Sequence, residues 1–218
     1  MLAAMGLLMA MVYDRVLGVA ERACLGEWRR ELLADLHGEV LEIGAGTGAN
    51  LELYPPAVTR LVLTEPDRHM RERLEAKVRA DSRADIVDAK AEALPFEDAS
   101  FDAIVCTLVL CSVPDVDATL REARRVLRPG ARFVYLEHVA AEEPSPRLRW
   151  QRVVEPVWKH VAEGCHLTRR TGEAIRRAGF EVVREERASM RKAPSFVRPT
   201  VRGVARAPSA RPISAGTS

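Results

Sequence analysis

The sequence predicts an α/β fold: a seven-stranded, mostly parallel sheet with an antiparallel last strand and helices on both faces. Three observations predict it. Between Glu39 and Val183, short apolar runs alternate with stretches of helical periodicity, the pattern of βαβ units. The first apolar run ends in a glycine loop, Gly44-Ala45-Gly46-Thr47-Gly48. The last two runs read as an antiparallel pair.

The first strand is Val40-Leu41-Glu42-Ile43, and the second is Leu61-Val62-Leu63-Thr64, ending at Glu65. Asp67 is placed to cap the next helix, in which Met70, Leu74 and Val78 share one face. The charged residues Arg71, Arg73 and Arg79 read as its solvated side. A third strand is expected near Ala84 to Val87 and a fourth over Phe101 to Thr107. Pro114 suits the first turn of the following helix, where Leu120, Ala123 and Leu127 share a face. Pro129-Gly130 turns the chain into a fifth strand, Arg132 to Glu137. An irregular segment follows over residues 140–164. Trp150, Val154, Val157 and Val161 recur there at helical spacing, and Pro156 is expected to kink it. The two tryptophans, Trp150 and Trp158, read as packing residues. Thr168 is expected to cap a last helix, with Gly179 at its C-terminal position. Residues 180–183 and 196–204 are the sixth and seventh strands.

Composition narrows the function. The chain has 218 residues and is 47% hydrophobic, enough for one domain with a full core. Its 33 basic and 31 acidic residues leave a net charge of +2, so no bulk attraction to nucleic acid is expected. Cys24, Cys106, Cys111 and Cys165 are widely spaced with no CxxC pair, so they read neither as a disulfide framework nor as a metal site. Reduced thiols suit a cytoplasmic location. The apolar start, Met1 to Val12, is too short to span a bilayer, which needs about 20 residues. No basic residue precedes it and no cleavage site follows, against a secretory signal. It reads as a helix packed over the domain or as a weak membrane-surface contact. Packing is favoured because acidic Asp14 and Glu21 lie just downstream.

The glycine loop carries the chemistry. Alternate glycines after a buried strand let a ligand approach the backbone, and a following helix would offer free N–H groups. The loop also fits the dinucleotide pattern G-x-G-x-x-A, ending at Ala49. Glu65 stands 21 residues after Gly44, where a carboxylate accepts from vicinal ribose hydroxyls. Both NAD and S-adenosylmethionine carry that ribose. Glu42 favours the second, because its charge suits an ammonium and a sulfonium and opposes a pyrophosphate.

These segments, with Ala91-Glu92-Ala93-Leu94-Pro95-Phe96 and Ser100-Phe101-Asp102, resemble the class I, Rossmann-like methyltransferases of the type 11 group. The resemblance covers residues 36–204. Within the group the chain is similar to the methyltransferase-like thiol S-methyltransferases. That likeness rests on Gly46-Thr47-Gly48-Ala49-Asn50, on residues 106–113 (Cys-Thr-Leu-Val-Leu-Cys-Ser-Val), and on residues 125–130 (Arg-Val-Leu-Arg-Pro-Gly). It rests also on Glu137-His138-Val139-Ala140 and on residues 164–169 (Gly-Cys-His-Leu-Thr-Arg). The resemblance implies S-adenosylmethionine as cofactor. Gly44, Ala45, Gly46, Gly48 and Glu42 would lie at its methionine part and Glu65 at its ribose. The backbone of Ala91 and Glu92 would meet the adenine edge, and that of Thr107 and Leu108 the methyl group. Many relatives carry Asp where Lys90 stands, and Lys90 cannot accept a hydrogen bond. The related mammalian thiol enzymes carry a long membrane anchor, where this chain has only its short apolar start.

The expected function is methyl transfer to a small-molecule acceptor, a small hydrophobic thiol in the first reading. A quinone ring or a phospholipid amine is the alternative, and an NAD-dependent oxidoreductase the reading from another class. His138, after the fifth strand, is the candidate base, weighed against a structural role in fixing the next loop. Tyr13 and Asp14 are candidates to cover the cofactor. Cys106, Cys111 and His166 read as core or loop residues. Residues 1–36 are expected to form a helical segment over the cofactor site and 37–206 the catalytic domain, with a substrate-side insertion at 140–164. Residues 207–218 are expected to be a disordered tail.

Overall fold

The computed structural model describes residues 18–79, 82–162 and 164–209. Strands β1 (Gly38–Ile43), β2 (Val58–Thr64), β3 (Ala84–Val87), β4 (Phe101–Thr107), β5 (Leu127–His138), β6 (Glu181–Ser189) and β7 (Pro199–Arg206) form one sheet. Its order is β3-β2-β1-β4-β5-β7-β6. The first five strands run parallel, and β7 is antiparallel to both of its neighbours, β5 and β6.

The central strands bury both faces, which is why they read as unbroken apolar runs. Leu41, Ile43, Ile104, Cys106, Phe133 and Tyr135 point into one core layer. Val40, Ala103, Val105, Val134 and Leu136, one residue out of step, point into the other. Helices α3 (Val116–Val126) and α5 (Thr171–Arg177) close the first layer through Leu120, Ala123, Val126, Ala174 and Ile175. A π turn (Glu21–Leu25) running into α1 (Gly26–Leu33), with α2 (Arg68–Val78), closes the second through Leu25, Leu32, Leu33 and Leu74.

Several local expectations hold. Asp67 accepts from Met70 N at 2.8 Å and caps α2. After α5, Gly179 adopts φ 87° and Phe180 N donates to Ile175 O at 3.3 Å, the pattern of a glycine C-terminal motif. Others are corrected. Asp115, not Pro114, starts α3, because its carboxylate accepts from Ala118 N at 2.9 Å. Thr168 caps no helix: its N–H and hydroxyl both bond Glu155, and α5 begins at Thr171. Pro129-Gly130 lies inside β5, beside a register irregularity opposite Phe101. Arg71 is no solvated residue, for it donates to Glu65 O at 2.7 Å and pairs with Asp88 at 2.9 Å.

Most of the segment expected to be irregular is helix α4 (Pro146–Val161), which continues through Pro156. Buried Gln151 ties it down, donating to Val139 O and Phe196 O and accepting from Ala141 N. Its outer face is apolar and open: Trp150 is 51% exposed, Val153 and Val157 68%, and Val161 54%. Trp150 is therefore not a packing residue, whereas Trp158 is half-buried against Phe196. The expected tail begins too early. Ala207 is buried and extends the β5 pairing, donating to Ala131 O and accepting from Gly130 N.

Candidate active site

The site gathers at the carboxyl ends of β1, β2, β4 and β5, the edge where ligands bind in such sheets. Gly44, Gly46 and Gly48 take φ values of 64°, 57° and 80°. A Cβ on Gly44 would lie 2.6 Å from Val109 Cγ2, so the loop packs directly on the turn after β4. A Cβ on Gly46 would meet nothing within 4 Å, so open space lies over that residue. Residues 45–53 run through turns and one 3-10 turn (Leu51–Leu53), so no α-helix follows the loop. The expected helix N-terminus is thus not the source of ligand contacts.

Glu65 holds the loop. One carboxylate oxygen accepts from Gly46 N at 2.8 Å, and the other accepts from Asp67 N at 2.9 Å. Ala45 N bonds Thr64 O, and Lys77 donates to Thr47 O at 2.6 Å. Glu42 is buried, and both its oxygens are taken: Asn50 Nδ2 donates at 2.8 Å and Tyr54 OH at 2.7 Å. Burial raises its pKa above the ordinary carboxylate value, against those two hydrogen bonds. The cation facing this carboxylate is internal. Arg29 of α1 is 4% exposed and donates to Asn50 Oδ1 at 2.9 Å and to Thr107 Oγ1 at 2.6 Å.

The residues expected at the adenine edge lie on one loop. Ala91 is buried, and Glu92 accepts from Asp115 N at 3.4 Å. Arg125 clamps this loop through Leu94 O, Phe96 O, Asp98 and Glu122, and Glu122 in turn accepts from Leu94 N. Lys90 is exposed and contributes its carbonyl, which accepts from Ala93 N.

The turn after β4 is built around Glu137. Its fully buried carboxylate accepts from Val109 N and Leu110 N at 3.0 Å and from Cys111 N at 3.2 Å. Burial pushes this carboxyl up to about 7 despite the three N–H donors. Leu108 adopts φ 60°, a conformation other than glycine residues rarely take, and donates to Leu136 O at 2.7 Å.

Beyond this turn, two of the runs that carry the thiol-enzyme likeness, 106–113 and 164–169, touch each other. His166 N donates to Cys111 O at 2.8 Å, and Arg169 donates to Leu110 O at 2.5 Å and Val113 O at 2.7 Å. His138 is 2% exposed, and its Nε2 lies 3.1 Å from Cys165 Sγ. Trp158 Nε1 donates to the same sulfur at 3.3 Å. The Cys111 thiol, His138 and Trp158 together lower the Cys165 pKa to about 4 against the opposing effect of burial. Neither Arg29 nor this sulfur cluster was legible from sequence. Glu137 stood in view at the end of β5 without its role. Tyr13 and Asp14 lie outside the described residues.

The residues present fit S-adenosylmethionine: open space over Gly46, a carboxylate at Glu65 bonded to that glycine, and a buried cation at Arg29 bonded to Asn50 and Thr107. Two clefts open elsewhere, of about 310 Å³ and 410 Å³, and neither is lined by the glycine loop.

A family described as "Methyltransferase domain" matches residues 41–135. The rat thiol S-methyltransferase TMT1B is 40% identical over 171 residues, covering 72% of this chain and 69% of the relative. The human thiol S-methyltransferase TMT1A is 37% identical over 190 residues, covering 81% and 77%. Among solved structures, the [4+2]-cyclase SpnF superposes with a TM-score of 0.70 at 21% identity, covering 85% of this chain and 80% of that one. That last likeness speaks for the fold alone. The two relatives, at this identity and coverage, together with the matching domain, make this chain a member of the S-adenosylmethionine-dependent class I methyltransferase family.

Proposed function

We propose that the enzyme methylates a small hydrophobic thiol at the turn after β4. The observation that carries this reading is the contact between residues 106–113 and 164–169, two of the runs that link the chain to thiol methyltransferases. They are hydrogen-bonded to each other, and the same turn packs through Val109 on the glycine loop at Gly44. The names of the rat and human relatives support it.

When bound, the cofactor supplies an electrophilic methyl and a neutral thioether leaving group. The chain positions the reactants. In this reading Glu65 takes the ribose, the loop Gly44, Ala45, Gly46 and Gly48 takes the methionine part, and Ala91 and Glu92 border adenine. Thr107 and Leu108 border the methyl. Glu42 acts indirectly, through Asn50 and Tyr54. The acceptor sulfur forms the S–CH3 bond as the sulfonium C–S bond breaks, and its proton is lost before or during transfer. A thiol of pKa about 8.5 is a few per cent ionised at neutral pH, whereas an alcohol is not. His138 is the candidate base, but its Nε2 faces Cys165, so a direct base role requires it to leave that sulfur.

Residues 1–36 are proposed to cover the cofactor, a reading supported by Arg29, which bonds Asn50 and Thr107 beside the loop, and residues 140–164 to border the acceptor. The weak membrane-surface contact expected of Met1 to Val12 lies outside the described residues; among those described, the exposed Trp150, Val153, Val157 and Val161 face, flanked by Arg149, is proposed to make one. Such a contact suits a cytoplasmic enzyme that takes hydrophobic acceptors from a bilayer. No described helix is long and apolar enough to cross a membrane.

The test is a panel of alkyl and aryl thiols, each beside its hydroxyl counterpart, with a quinone and a phospholipid amine. Thiols alone should accept methyl, at a rate rising with pH until the thiolate saturates. Turnover of the quinone or amine with no thiol product would overturn the acceptor class.

A further inference from the structure

We propose that Cys111, His138 and Cys165 form a zinc site with an open fourth position, built to bind the acceptor thiol. The proposal rests on the thiol reading above. One ligand atom from each residue lies within 4.8 Å of the other two. Zinc with Zn–S about 2.3 Å and Zn–N about 2.0 Å sets S···S at about 3.8 Å and S···N at about 3.5 Å in a tetrahedron. The present His138 Nε2 to Cys165 Sγ separation of 3.1 Å is within about half an ångström of that value. Two thiolates and an imidazole select zinc over hard cations.

The three residues come from three separate elements: the turn after β4, the end of β5 and the loop before α5. Hydrogen bonds between these elements hold the three in place. Glu137 accepts from Cys111 N, His138 stands on the strand itself, and the loop holding Cys165 is tied to the β4 turn through His166 N and Arg169. Around the sulfurs, Trp158 Nε1 donates to Cys165, and Ser112 Oγ lies 3.6 Å from Cys111 Sγ. These are the outer contacts that orient sulfur ligands.

Three protein ligands with one position free is the arrangement of a reactive zinc site, not a purely structural one. Cys111 and His138 are buried and Cys165 is half-buried, so access lies on the Cys165 side. A thiol entering there would lose its proton to solvent on binding. Its sulfur would then form the bond to methyl as the sulfonium C–S bond breaks, giving thioether, S-adenosylhomocysteine and one proton. No redox partner is needed.

The test uses reduced, metal-stripped full-length protein titrated with Co²⁺, followed by Zn²⁺ in competition with a chromophoric chelator. One ion per chain is expected, with thiolate-to-cobalt charge-transfer absorption and the intense visible bands of a four-coordinate ion. Adding an alkyl thiol without cofactor should shift those bands. Cys111→Ser, Cys165→Ser and His138→Gln should each weaken binding by about a hundredfold or more, whereas Cys24→Ser should not. Three separate ligand variants keep the test decisive if one fails to fold. Absence of the charge-transfer band, or equal affinity in folded ligand variants, would overturn the proposal. A protein that binds cobalt in this way but methylates no thiol would keep the metal site and sink the acceptor reading. One that methylates thiols at full rate after chelation, with no cobalt signal, would do the reverse.

Discussion

Replacing Glu137 by Ala removes the acceptor of three backbone N–H groups at once. Those of Val109, Leu110 and Cys111 lie 3.0, 3.0 and 3.2 Å from its oxygens, in a place with no exposure at Glu137 itself. A buried donor left without a partner costs about 1–3 kcal/mol, so three set an upper range of about 3–9 kcal/mol. The turn can relax and admit water into the space left, and about 3–5 kcal/mol is expected. For a chain of this length about 1 kcal/mol moves the melting midpoint by about 2–4 °C. The variant should therefore melt about 10 °C lower, measured by calorimetry at neutral pH. Glu137→Gln keeps one acceptor oxygen for Val109 and Leu110 but turns an amide toward Cys111 N–H, and should lose about a third as much. Methyl transfer should fall further than cofactor affinity in both, because the turn is proposed to border the acceptor. A Glu137→Ala protein melting within about 3 °C of wild type would refute this account of the turn.

Glu65→Ala should weaken S-adenosylmethionine binding by about one to two orders of magnitude in calorimetric titration, the worth of a charge-assisted pair at about 1.5–3 kcal/mol. Gly46→Val should do at least as much, since its side chain would enter the open space over the loop in a strained conformation at φ 57°; unchanged affinity in both folded variants would remove the cofactor from this site. The Glu122 carboxyl is held below its usual value by Arg125, so its contribution to stability is present above about pH 4.5 and is lost as pH falls. Glu122→Gln should accordingly narrow its stability gap to wild type on acidification, and parallel denaturation curves at pH 7 and pH 4 would count against the clamp. A chain ending at Arg206 should melt a few degrees below one ending at Ser209, because Ala207 makes two backbone hydrogen bonds to the strand beside it; equal midpoints would show that pairing to be dispensable. Val153→Asp with Val157→Asp should leave the melting point unchanged, as both side chains are 68% exposed, and should abolish flotation with anionic vesicles.

The sequence by itself determined the sheet and the cofactor class. Strands buried on both faces need unbroken apolar runs, and such runs, with their turns, are local signals. The bounds of β3 and β4 follow from them to the residue. Backbone conformation is equally local, so the glycine loop and the glycine after α5 were legible. Caps were legible only where a single side chain had no rival. Asp67 met that condition, whereas Thr168 was drawn away by Glu155 of α4. The insertion of β7 between β5 and β6 left no such trace, because pairing joins distant residues. The same holds for the site. Glu42 suggested a ligand's cation, but the tertiary structure brings Asn50, Tyr54 and the Arg29 side chain to it first. Four cysteines without a spacing motif suggested no metal site. Packing of the loop before α5 on the turn after β4 nonetheless sets two of them beside His138, since the distance between side chains depends on the fold and not on their separation along the chain.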